Sequence, residues 1–219
     1  MIGVLCGIER EAAIIRRGLG DLPHLSICTG ARAENAARGA QELVDAGAER
    51  LLSFGLAGAL SDDLHPGDLL TPETVIDADK QSWGVDSDWL ERVRRTSPEA
   101  IGAPLLGIDS PARTAAQKLF LRAALDAAAV DMESHFVARS AAKAGLPFLV
   151  IRAVADDSRT SLPDAAMSAV SPEGRELPME AAKALLRRPR EIGPLIRLAR
   201  ASGKGFGTLR RVAGLGLGL

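Results

Sequence analysis

Two apolar runs of this chain end abruptly in acids: Ala129-Val130 runs into Asp131-Met132-Glu133-Ser134, and Ile151-Arg152-Ala153-Val154-Ala155 into Asp156-Asp157. A carboxyl group can pass or take a proton, and a carboxylate offers two acceptor oxygens to a pair of hydroxyls. Apolar runs of this length, flanked by helical patterns, read as strands buried on both faces. In open α/β sheets ligands bind where such strands end. A third acid, Glu11, follows the first apolar run, Ile2 to Cys6, by a few residues. Glu11, Glu133 and Asp156 are therefore candidates for chemistry if the fold brings them to one edge. Each also has a plainer use. Glu133 in the first turn of a helix would interact favourably with the helix dipole, for roughly 0.3–1 kcal/mol. Asp156 could cap a helix, Glu11 could lie on a solvated helix face, and Met132 could simply fill core space.

The elements that must position these acids alternate in type. Strands are expected at Ile2 to Cys6, His24 to Cys28, Arg50 to Phe54, Gly67 to Ile76 (bulged or edge-placed at Pro72), Ala103 to Ile108, Ala127 to Met132 and Pro147 to Ala155. Helices are expected at Glu9 to Leu19, Arg32 to Ala46, Trp89 to Arg95, Thr114 to Leu125, Glu133 to Ala144, Met179 to Arg188 and Glu191 to Ala201, with Asp77 to Ser87 a loop. Strand and helix in turn imply an α/β fold with a sheet covered on both faces. The small residues of Gly55-Leu56-Ala57-Gly58-Ala59-Leu60 let backbone approach a neighbouring strand or a ligand, which makes Ala57 and Gly58 candidate substrate contacts. The polar stretch from Asp157 to Pro178 is a candidate cover over the site.

With 219 residues and 47% hydrophobic side chains, the chain can bury a full core and is expected to form one catalytic domain, 1–188, followed by a basic segment, 189–219. Five Phe, two Trp and no Tyr leave few stacking platforms, and a net charge of −1 gives no pull toward polyanions, so no nucleic-acid partner is expected. Cys6 and Cys28 read as free thiols of a reducing compartment, and no Cys/His cluster has metal-ligand spacing. Neither a signal peptide nor a membrane-spanning run of 18 apolar residues is visible, so a cytoplasmic chain is expected.

Taken together and in order, Ile2-Gly3-Val4-Leu5-Cys6-Gly7-Ile8-Glu9-Arg10-Glu11, the Gly55 to Leu60 stretch with Pro66-Gly67-Asp68 after it, Val130-Asp131-Met132-Glu133, and Arg152-Ala153-Val154-Ala155-Asp156 resemble the nucleoside phosphorylase and methylthioadenosine/adenosylhomocysteine nucleosidase superfamily. The resemblance implies a three-layer α/β/α sandwich around a mixed, partly closed sheet, cleavage of a nucleoside's N-glycosidic bond, and a homo-oligomer. No cofactor is implied, though inorganic phosphate is the co-substrate in one branch. On this resemblance Asp156 matches the acid at purine N7, Glu133 the ligand of the ribose hydroxyls, Met132 the apolar cover of the sugar and Glu11 the base that activates water. Leu56 replaces a Ser or Thr of many members, and Ser53 falls near the place of a phosphate-binding Arg, so water is favoured as nucleophile. Gly30 and Arg32, at a helix N-terminus, keep phosphate open.

A narrower resemblance lies in Val130-Asp131-Met132-Glu133-Ser134-His135, Ser53-Phe54-Gly55-Leu56-Ala57-Gly58 and the Arg-rich C-terminus, which are similar to the bacterial hopanoid-associated phosphorylases. It implies release of adenine from adenosylhopane, a lipid-linked nucleoside. The alternatives are a methylthioadenosine/adenosylhomocysteine nucleosidase and, outside enzymes, a nucleoside-binding or membrane-associated protein of the same fold. Between Lys183 and Leu219 nine basic residues face one acid, Glu191. Ile192, Leu195, Ile196 and Ala199 share one helical face, with Arg190, Arg197 and Arg200 off it, so the segment could hold the protein peripherally at the inner membrane surface. The other expectation is an ordinary helix docked on the body, with Gly203 to Leu219 a Gly-punctuated tail.

Overall fold

Residues 1–219 are described by a computed structural model. The first half of the chain lays down β1 (Ile2–Cys6), α1 (Glu9–Leu19), β2 (His24–Cys28), α2 (Ala33–Asp45) and β3 (Arg50–Ala59), close to the sequence periods. Five further strands and segments follow in the order β4 (Leu69–Leu70), β5 (Thr74–Asp77), β6 (Ser82–Gly84), α3 (Ser87–Thr96) and β7 (Leu105–Gly107). Then come α4 (Ala115–Leu125), β8 (Ala129–Asp131), α5 (Ser134–Ala144), β9 (Phe148–Asp156), a short α6 (Asp164–Met167), α7 (Pro178–Arg187) and α8 (Ile192–Gly214).

All nine strands join one mixed sheet. Strand β3 is its spine: β1 runs parallel along its first half, β9 runs parallel along the other edge, and β8 pairs antiparallel with Gly58 and Ala59 where β1 has ended. The sheet continues from β8 through β7 and β5 to β6, and from β9 to β4. It does not close fully into a barrel. A single parallel bridge pairs Leu70 with Ile101, just before β7. Helices cover both faces. One core gathers Ile2, Val4 and Ile151 from strands under α1, α3 and α8, through Ile15, Trp89, Phe206 and Leu209. The other gathers Leu5, Leu51 and Val150 under α2 and α5, through Leu43, Val137 and Ala141. This is the three-layer α/β/α arrangement, and it explains why β1, β3 and β9 carry almost unbroken apolar runs.

Four expectations change. Strand β3 continues through Gly55 and Gly58 to Ala59, because partners on both edges bond its backbone whatever its side chains are. The stretch from Gly67 to Ile76 is two short strands with different partners, β9 for β4 and β7 for β5, and Pro72, which has no N–H for a ladder, sits at the change. The expected loop holds β6, which turns back antiparallel on β5. Finally, residues 203–214 are helix. Gly203, Gly205 and Gly207 in the interior of α8 are unfavourable for helix by roughly 1 kcal/mol each, but Phe206, Leu209, Val212 and Ala213 are buried and outweigh that. At Gly205 an added Cβ would lie 2.7 Å from Leu56 Cδ2 and 3.0 Å from the Val154 carbonyl oxygen, so the glycine is what lets α8 lie against the strands that carry the site. The end of the chain is also held, since Trp89 Nε1 donates to the Leu217 carbonyl at 2.8 Å.

Candidate active site

At the C-terminal ends of β3, β8 and β9 lies a cavity of about 230 Å³. Glu11, Ala57, Gly58, Met132, Glu133 and Asp156 all line it, so the three separated acids do meet at one edge. Gly30 and Arg32 do not. Gly30 faces the Pro172 carbonyl, which an added Cβ would strike at 2.0 Å, and Arg32 is exposed at the start of α2, so only their neighbour Ala31 reaches the cavity wall.

Each acid is placed by its own element. Glu11 is the third residue of α1, where an acid commonly reaches back to the free N–H groups of the helix start. Its Oε2 accepts from Gly7 N at 2.8 Å and Ile8 N at 3.0 Å, while Oε1 accepts from Leu56 N on β3 at 2.8 Å. Burial raises its pKa; Arg152 and these three N–H groups pull the other way. Glu133 stands at the N-cap of α5 yet caps nothing. Asp131 does that work by accepting from Ser134 N at 3.2 Å, which leaves the Glu133 carboxylate free to face the cavity. Burial pushes Glu133 up to about 7, opposed by Arg152 and reinforced by Asp131 and Glu11. Asp156, the last residue of β9, is also raised by burial, against the pull of Lys118.

Two cations organise these acids, and neither was singled out from the sequence. Arg152, wholly buried on β9, directs Nη2 at Asp131 (2.6 Å), Glu133 (3.2 Å), Ser53 Oγ (2.7 Å) and Ser134 Oγ (3.3 Å). Ser53 thus serves as a support for the arginine. Gly55 makes room for it, since a Cβ there would fall 2.4 Å from Arg152 Nη1 and 2.7 Å from Glu11 Oε1. The second cation, Lys118, comes from α4. Thr114 Oγ1 accepts from Gln117 N at 3.1 Å and Gln117 Oε1 accepts from Thr114 N at 3.1 Å; this reciprocal cap starts α4 so that Lys118 is the one residue it buries. Lys118 pairs with Asp156. A charge inside an apolar run at 148–156 was a signal for Arg152, because a buried guanidinium requires buried acids. Lys118, a single charge on an expected helix, gave none.

A family model described as Phosphorylase superfamily matches residues 2–187. Among solved structures, the chain is similar to the 5′-methylthioadenosine/S-adenosylhomocysteine nucleosidase of Colwellia psychrerythraea in complex with adenine, with TM-score 0.71 and 16% identity over 99% of this chain and 94% of that one. It is similar to the corresponding nucleosidase of Helicobacter pylori, with TM-score 0.69 and 16% identity over 96% of each chain. The futalosine hydrolase of the same organism gives the same figures, 0.69, 16% and 96% of each chain. At such identity these likenesses establish the fold. No curated protein matches the chain.

The raised Glu133 pKa has a consequence for stability. A carboxyl group that holds its proton more tightly folded than unfolded contributes stability that is full below its ordinary value of 4.5 and is lost as pH rises through about 7. Denaturant midpoints of the wild-type chain should therefore fall between about pH 5 and about pH 7 more steeply than those of Glu133→Gln. Equal slopes would contradict the assignment.

Proposed function

Because the chain belongs to the Phosphorylase superfamily, we propose that it cleaves the N-glycosidic bond of a purine nucleoside and passes the sugar to water. One observation carries the reading: a single cavity holds two buried acids in different settings, Asp156 paired with Lys118 and Glu11 held by backbone N–H groups. Asp156 protonates the base, so that the C1′–N bond can break with its electron pair going to the leaving purine while the sugar gains oxocarbenium character. Glu133 accepts from the ribose hydroxyls, and Met132 with Ala57 and Gly58 forms the wall against which the nucleoside lies. Glu11 Oε1 keeps a lone pair beyond its bond from Leu56 and takes the proton of the attacking water. Burial raises its proton affinity, which makes it a better base.

The charge around Glu11 supports water over phosphate. Glu11, Asp131 and Glu133 share a single guanidinium, so no cation is left over to receive a phosphate dianion brought there. The expected phosphate cradle, Gly30 with Arg32, stands off the cavity.

The finer reading is adenine release from a 5′-modified adenosine, adenosylhopane, in hopanoid biosynthesis. It rests on the resemblance of the Val130–His135 and Ser53–Gly58 motifs and of the Arg-rich C-terminus. Apolar Ile8 and Ala31, on the Glu11 side of the cavity, are compatible with an apolar 5′ group. Methylthioadenosine/adenosylhomocysteine cleavage is the second reading, favoured by the likeness of fold to those nucleosidases. With either substrate, Asp156→Asn and Glu11→Gln should each slow adenine release by about 10²-fold or more in a folded protein. Undiminished release by Asp156→Asn would refute the assigned acid.

Placement at a membrane surface is part of the finer reading. The first half of α8 leaves Ile192 and Ile196 45% and 47% exposed beside Arg190, Arg197 and Arg200. Basic residues near an anionic leaflet contribute about 1 kcal/mol each. Anionic liposomes should co-sediment the wild-type chain and retain much less of the doubly substituted Ile192→Glu, Ile196→Glu chain. Equal retention would exclude this surface.

A further inference from the structure

A lysine is rarely buried without a task, and Lys118 is 1% exposed in the wall of the cavity. Its Nζ donates to three acceptors: Asp156 Oδ2, the Asp157 carbonyl at 2.7 Å and the Thr160 carbonyl at 3.0 Å. An ammonium group has three N–H bonds, so none is left for a substrate. All three acceptors belong to the last residue of β9 and the turn after it. Lys118 therefore ties the start of the covering segment and one oxygen of the acid to the same point on α4. The carboxyl group lies against Gly58, where an added Cβ would be 3.4 Å from Oδ1 and 3.5 Å from Oδ2; with Oδ2 taken by Lys118, Oδ1 is the oxygen that accepts no hydrogen bond from the protein.

We propose that Lys118 is a positioning residue for glycosidic cleavage: by holding Oδ2 it presents Oδ1 to the leaving base, and it stabilises the carboxylate that remains once the proton has gone. The inference rests on the functional reading above.

The balance of charge shows why the effect falls on the transition state. While Asp156 carries the proton it is to donate, the ammonium of Lys118 faces a neutral carboxyl group and gains little from it. During cleavage the proton leaves Asp156 Oδ1 for a base nitrogen, and the C1′–N electron pair goes to the purine. Water then bonds to C1′ and yields its proton to Glu11. A buried carboxylate now faces the ammonium at hydrogen-bond distance in a site with little water, where the attraction is strong. An interaction that grows as the barrier is climbed lowers the barrier. The other charged group near Asp156 is Asp157 from its own segment, which pulls its pKa upward; β3 brings only Ala57 and Gly58, while β8 brings Val130 and, further along the wall, Asp131. Lys118 is the one cation acting on this acid. It opposes both burial and Asp157, and so makes Asp156 a stronger acid than its burial alone would allow.

The test is the pH dependence of adenine release from methylthioadenosine by wild type, Lys118→Met and Lys118→Arg. The high-pH limb of the profile marks loss of the Asp156 proton. In Lys118→Met it should move upward by about one pH unit or more, since a close opposite charge shifts a carboxyl by about 1–3 units, and the plateau rate should fall. Lys118→Arg, which keeps the charge, should hold the limb near the wild-type position. A purely structural lysine would lower the rate and leave the limb in place, and an unmoved limb in folded Lys118→Met overturns the proposal. If Lys118→Met does not fold, Lys118→Gln carries the same expectations. Isotope-edited infrared titration of the Asp156 carboxyl in the substrate-free protein separates the two levels of the argument. An upward shift in Lys118→Met supports the proposed control of Asp156 even if no nucleoside is cleaved, and an unchanged titration overturns it even if cleavage is observed.

Discussion

One buried guanidinium holds this site together. Arg152 lies in the middle of the most buried strand, with Asp131 and Glu133 on its Nη2 and Glu11 close by. Three carboxylates taken out of water would otherwise repel one another and give up their charge by binding protons. A buried ion cluster is favourable when further hydrogen bonds offset the cost of taking its charges out of water. Ser53, Ser134 and the Leu56 carbonyl, the last at 3.4 Å, supply most of them here; Arg152 Nε has no partner. The surrounding sequence follows from this demand. Gly55 must lack a side chain, Ser53 must be small and polar, and β3 must run on past Phe54 so that Leu56 can present its N–H to Glu11.

The cavity that results has two unlike ends. Around Arg152, carboxylates outnumber cations, and one of them, Glu133, holds its proton up to about 7. Around Asp156 a single acid faces a single lysine. Burial raises the proton affinity of all three acids, and what differs is their partners: backbone N–H groups and Arg152 at Glu11, Lys118 at Asp156. The fold sets this separation: Glu11 arrives from the start of α1, while Asp156 arrives at the end of β9, beside the point where β3 exchanges β1 for β8 as its neighbour.

Most of the fold was legible because burial on both faces writes itself into β1, β3 and β9 as apolar runs, and the acids stood out by ending those runs. What stayed hidden depended on contacts distant in sequence. The glycines of α8 read as breaks, since nothing local shows that Gly205 would lie on Val154. Arg152 stands inside a motif, but its hydrogen-bond partners lie 18 to 99 residues away. Lys118 looks like any helix-surface lysine until the capping pair Thr114 and Gln117 sets which way α4 faces. Gly30 and Arg32 show the opposite case, a plausible local motif whose glycine is used to pack against Pro172.

The most direct measurement is cleavage of a purine nucleoside in water enriched in ¹⁸O, in buffer containing phosphate, with mass analysis of the sugar product. Water activated at Glu11 predicts free sugar carrying one ¹⁸O at C1′, at a rate that added phosphate does not raise. Sugar 1-phosphate formed in proportion to phosphate would contradict the account of the charge around Arg152.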